Sequence, residues 1–131
     1  MSFQHRKRRT GFTLIELLVA VVVIGILASI AMAKFRNTKG KAYYASVKTD
    51  LQNLVTSQES FFYDMRVYTT QLDSLKVTPS PGVVLTIGYA NATGWSATAY
   101  HPSSFPQMCA IYFGDAPQQA PATAPGLVAC N

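Results

Sequence analysis

Lysine and arginine are absent beyond Lys76, and Asp115 is the only acid between Asp73 and the end of the chain. The surface of the C-terminal half must therefore be built from Ser, Thr, Gln, Asn and backbone, which argues against recognition of a polyanion there. Histidine is scarce: His5 lies in a basic N-terminal run and His101 precedes Pro102, with no second His or paired Cys at ligand spacing. No metal or cofactor is expected. A Gly-rich phosphate loop is also missing, and no nucleophile, base and orienting group can be placed together, so no catalytic activity is expected. Proline is absent before Pro79, which leaves the first part of the chain without a helix breaker.

The 131 residues suffice for one small globular domain once an N-terminal apolar segment is set aside. The net charge of +5 comes almost wholly from Arg6, Lys7, Arg8 and Arg9; without them seven basic residues face six acidic ones. Directly after this run, residues 11–33 carry a single ionisable side chain, Glu16. At about 1.5 Å per residue, a helix over 12–33 is roughly 33 Å long, enough for a hydrocarbon core of about 30 Å. A secretory signal cleaved after Ala31-Met32-Ala33, releasing a small binding protein, is one alternative, and an uncleaved signal anchor is another. Neither accounts for Glu16. An acid deep in an apolar helix costs about 2.5–3.5 kcal/mol even on lenient insertion scales, so it must sit at headgroup level, be protonated, or meet a positive charge.

The pattern Gly-Phe-Thr-Leu-Ile-Glu over residues 11–16, behind a short basic leader and ahead of an unbroken apolar helix, resembles the prepilin signature of type IV pilins (the type IVa-like prepilins) and pseudopilins. The resemblance implies that residues 1–11 are a leader, that a prepilin peptidase cuts between Gly11 and Phe12, and that the new Phe12 amine is methylated. An internal amide is uncharged, whereas that amine is cationic near neutral pH. Cleavage thus creates a partner for Glu16, which the resemblance places on a neighbouring subunit as the assembly residue. The family often has a Pro where this chain has Ala33, so a straighter helix is expected, with Gly25 as a remaining weak point. Basic residues flank the span on both sides, Arg6 to Arg9 before it and Lys34, Arg36, Lys39 and Lys41 after it. The resemblance, not the charge count, puts the leader inside.

Beyond Ala33, Val47, Leu51, Leu54, Val55, Phe61, Phe62 and Met65 recur at helical spacing, which predicts an amphipathic continuation to about Asp64. The aromatics Phe35, Tyr43, Tyr44, Phe61, Phe62 and Tyr63 are expected in the core rather than on a stacking path. A connector over 68–76 contains a short helical turn, with Thr70 and Asp73 at capping-box spacing. Three strands are expected, at 83–90, 95–101 and 108–113, with a turn at 91–94. The fold class is thus α+β: a long N-terminal α-helix, its first half serving the membrane and then the filament core, its second half packed on a small antiparallel sheet. The domains are residues 1–11 (leader), 12–33 (membrane and filament helix) and 34–131 (head). Residues 91–93 also match a glycosylation acceptor.

Residues 114–126, rich in Pro, Ala, Gln and Thr, cannot make a regular ladder. Cys109 and Cys130 enclose them. In an oxidising compartment these two cysteines form one intrachain disulfide, contributing roughly 3 kcal/mol on the chain-entropy model; two buried free thiols are the alternative. The resemblance makes this region a disulfide-bounded loop on the filament surface. The expected function is a structural subunit of a type IV pilus for adhesion, twitching motility or DNA uptake, the alternative being a pseudopilin of a type II secretion system. Expected partners are identical subunits, the prepilin peptidase, an inner-membrane assembly platform and motor, and the membrane before assembly. DNA is not indicated by the residues. The expected location is the bacterial inner membrane, crossed once, and then an extracellular filament.

Overall fold

The computed structural model describes residues 11–104 and 107–131. The expected leader, apart from Gly11, lies outside the described residues. One helix, α1, runs through Leu14–Met65 for 52 residues. It continues through Gly25, where Ser29 Oγ donates to the Gly25 carbonyl at 2.9 Å, and through Ala33. Arg66 ends it with φ +59°, a left-handed conformation that takes the chain out of the helix.

The chain divides into two compact units between Asn37 and Thr38. In the first, every described side chain is exposed, the large apolar ones included, with Leu14 at 83%. The second holds a four-stranded antiparallel sheet of order β1-β2-β3-β4, formed by β1 Val84–Ala90, β2 Gly94–Tyr100, β3 Met108–Gly114 and β4 Ala129–Cys130. The first three strands lie within a residue of the expected bounds. The fourth is too short for any periodicity to announce it, and pairing of Cys130 with Cys109 and of Ala129 with Ala110 creates it.

Helix and sheet share one core. Val47, Leu51 and Leu54 line one helix face, and the sheet contributes Leu85, Ile87, Trp95, Ala97, Ala99, Cys109 and Ile111. Small Ala97 and Ala99 on the central strand leave room for the two leucines. The expected stripe is corrected at its end: Met65 is 62% exposed, and Gln58 and Asp50 take buried places on that face instead. Of the aromatics expected in the core, Phe35 and Tyr63 are exposed. Tyr44, Phe61 and Phe62 pack against it, and Tyr43 stacks on His101 with ring centroids 3.9 Å apart. Tyr43 and His101 thereby close one end of the head, against Gly82, whose φ of +82° and lack of a Cβ let the imidazole approach.

The short helix α2, Leu72–Leu75, begins after Gln71, which makes no side-chain cap; the Thr70 and Asp73 box does not form. Gly114, at φ +64°, ends β3 where a Cβ would strike the Thr93 carbonyl, so the β1–β2 turn closes directly on it. Asn91 organises that turn: its Oδ1 accepts the Thr93 and Gly94 amides at 2.7 and 2.6 Å, and its Nδ2 donates to Tyr89 Oη at 2.8 Å.

Candidate processing and assembly site

Gly11 and Phe12 precede the helix as exposed, irregular backbone, and Phe12 is 78% exposed. Helix α1 starts two residues later through a reciprocal cap. Thr13 Oγ1 accepts the Glu16 amide at 3.3 Å, while one carboxylate oxygen of Glu16 accepts both the Thr13 amide and the Thr13 hydroxyl at 2.8 Å. This is a capping box of the Thr-x-x-Glu kind, and it satisfies orphan donors of the first turn. The acid also sits where the helix macrodipole favours negative charge.

The sequence reading placed Glu16 as a residue awaiting a partner and missed Thr13. The signal was there: a Thr three positions before a Glu, opening an apolar run. Structurally, Thr13 gives the carboxylate a local partner within its own chain. Glu16 is exposed, and Phe12 sits one residue before the cap, so Gly11, Phe12, Thr13 and Glu16 form one compact group at the head of an uncovered apolar helix. Among the described residues, α1 is the one helix long and apolar enough to cross a membrane.

A second group fixes the other end of the chain. Cys109 and Cys130 are joined by a disulfide, with Cα atoms 4.0 Å apart across the β3–β4 ladder. Asn131 extends that ladder, its Oδ1 accepting the Met108 amide at 2.8 Å and its own amide reaching the Met108 carbonyl at 3.2 Å. Between the cysteines, Ala116 and Ala122 are buried and Gly126 donates to the Tyr112 carbonyl at 2.7 Å, so the Pro-rich segment is pinned at several points without a ladder. Asp115 accepts the Thr93 hydroxyl. No group of three His, Cys, Asp or Glu side chains suited to a metal occurs among the described residues.

Residues 6–32 match the model of the prokaryotic N-terminal methylation motif. The match is confined to this N-terminal motif. The chain is 39% identical over 75 residues to the type IV major pilin protein PilA of Myxococcus xanthus, covering 57% of this chain and 34% of that pilin. It is 38% identical over 64 residues to the type II secretion system core protein G of Vibrio cholerae, covering 49% of this chain and 44% of that protein. A fimbrial protein of Pseudomonas aeruginosa is 37% identical over 54 residues, covering 41% and 35%. The chain spans between about a third and under half of the length of these curated relatives. They include both pilins and a secretion-system protein.

Proposed function

We propose that the chain is the structural subunit of a type IV pilus. It would be held in the inner membrane by its first helix, cut after Gly11, methylated at Phe12 and polymerised through that helix into an extracellular filament. The observation that carries this reading is the juxtaposition of the Gly11–Phe12 bond, the Thr13–Glu16 cap and an apolar stretch of α1 whose side chains are all exposed up to Asn37. So much exposed apolar surface needs lipid first and other copies afterwards. Cleavage would add a cation one residue from the cap. The Glu16 carboxylate could then exchange its Thr13 donors for the amine of a neighbouring copy without passing through an unpaired state, which would cost several kcal/mol in a dry filament core.

This role is structural rather than catalytic. It needs a prepilin peptidase, an assembly platform and a motor as separate proteins, and adhesion, twitching motility and DNA uptake are the uses such a filament serves.

The Cys109–Cys130 disulfide, and Asp115 as the single acid after Asp73, favour a pilin. A secretion pseudopilin is the second reading, favoured by the similarity to secretion-system core protein G. Mass spectrometry of the mature N-terminus tests the common step. A methylated Phe12 is the expected result, and a mature chain starting at Lys34 would replace the filament reading with a released secretory protein.

A further inference from the structure

No acid lies between Glu16 and Asp50, and the interval holds five basic residues, four of them within 34–41: Lys34, Arg36, Lys39 and Lys41. All four side chains are exposed on α1. They begin where the apolar stretch ends, so the helix that is long enough to cross a bilayer passes without interruption into its basic segment. Phe35, expected in the core, is instead 58% exposed between Lys34 and Arg36. Exposed cations at the edge of an apolar span are placed to meet headgroup phosphates while their stems, and the exposed Phe35 ring beside them, lie along apolar surface.

We propose that residues 34–41 form a binding surface for anionic phospholipid headgroups on the extracytoplasmic face of the membrane. The inference rests on the membrane-anchored precursor proposed above. Charge complementarity and continuity with the apolar span select lipid over other anionic partners. Before processing, basic segments flank the span on both sides. Removal of residues 1–11 takes away the inner one, and the 34–41 segment then becomes the electrostatic tether of the mature chain. Entry into a filament exchanges those headgroup contacts for contacts with other copies.

The test uses the full chain reconstituted in phosphatidylcholine vesicles carrying a minor fraction of spin-labelled phosphatidylglycerol or spin-labelled phosphatidylcholine. Three proteins are compared: the native chain, a variant with Lys34, Arg36, Lys39 and Lys41 each changed to Gln, and a variant with Arg6, Lys7, Arg8 and Arg9 each changed to Gln. The expected result is a preference for phosphatidylglycerol of at least about threefold that survives in the leader variant, falls in the 34–41 variant and is abolished by molar salt. A preference that follows the leader residues alone, or none at all in a chain that stays with the vesicles, overturns the proposal. A chain that fails to sediment with vesicles overturns the membrane reading and this inference together. A duplex DNA probe retained through the same four residues, without any lipid preference, would put nucleic acid in place of lipid and overturn it as well.

Discussion

Three buried polar groups do more for the head than their residue types suggest. Asp50, on the core face of α1, accepts the Ser80 amide at 2.7 Å and the Ser80 hydroxyl at 2.9 Å, which ties the Pro-rich turn before β1 to the helix. Replacing it by Ala leaves both donors without a partner, and hydrogen bonds to a charged group are worth about 1.5–3 kcal/mol each. Asp50→Ala is expected to lower stability by about 2–3 kcal/mol, less than two such bonds in full because half-buried Ser80 regains water, with Asp50→Asn intermediate. Trp95, the single tryptophan and fully buried, reports head unfolding by fluorescence; unchanged thermal midpoints would show that the clamp carries no energy. Gln58 works similarly, donating to the Thr69 carbonyl at 2.7 Å and accepting its amide at 3.2 Å, as a strand partner would. The Tyr68 phenol, buried and hydrogen-bonded to Glu59 at 3.2 Å, has its pKa pushed up to about 12, first by burial and then by the nearby carboxylate. A pKa raised above the ordinary 10.0 stabilises the fold fully below pH 10 and ceases to do so as pH rises through about 12. The stability advantage of the native chain over Tyr68→Phe is thus expected to shrink between pH 10 and about 12, as measured by denaturant unfolding at each pH. A constant difference across that window would contradict it.

At the scale of the element, α1 carries two designs in one helix. Up to Asn37 its described side chains are exposed, and from Val47 it presents one apolar face to a sheet. Its start is set by the Thr13–Glu16 box, its end by Arg66, and no proline intervenes. Glu16→Ala removes one half of the box and leaves a more apolar helix, so membrane insertion is expected to be intact or improved. Assembly is expected to fall by at least about tenfold, because the carboxylate is no longer there to meet the processed amine. Membrane fractionation beside counts of sheared filaments separates the two effects, and a normal filament yield would remove Glu16 from the assembly step. Glu16→Gln sharpens the result, since it keeps an acceptor for Thr13 and loses the charge. The spacing of hydrophobic residues made this helix legible before any coordinates, and Gly, Pro and Asn placed the strands to within a residue. What spacing could not give was the polar content of the core face, because Asp50 and Gln58 look like solvent positions until Ser80 and Thr69 are brought to them.

For the molecule as a whole, the distribution of carboxylates bears on the choice between the proposed pilin and pseudopilin readings. A specific calcium site needs about six to eight oxygen ligands, usually with several carboxylates. Asp115 is alone after Asp73, and its carboxylate already accepts the Thr93 hydroxyl. Thermal unfolding of the full chain in detergent, followed by Trp95 fluorescence, is therefore expected to be superimposable in chelator and in millimolar calcium. A ligand at 100 times its dissociation constant would stabilise by about 2.7 kcal/mol, and a shift of that size would move the reading to the secretion pseudopilin.

The sequence by itself determined the processing motif, the membrane-length helix, the α+β class and the place of the disulfide-bounded loop. Each of these depends on local pattern: a short signature, an apolar period, turn residues and two cysteines. Tertiary structure decided the rest. It made the β4 strand from two residues, turned Asp50 and Gln58 inward, left Phe35 and Tyr63 exposed and pressed Gly114 against Thr93. These outcomes depend on which distant segments meet, Cys130 with Cys109, Ser80 with Asp50, Thr93 with Gly114, and residues so far apart leave no periodic trace in the chain that joins them.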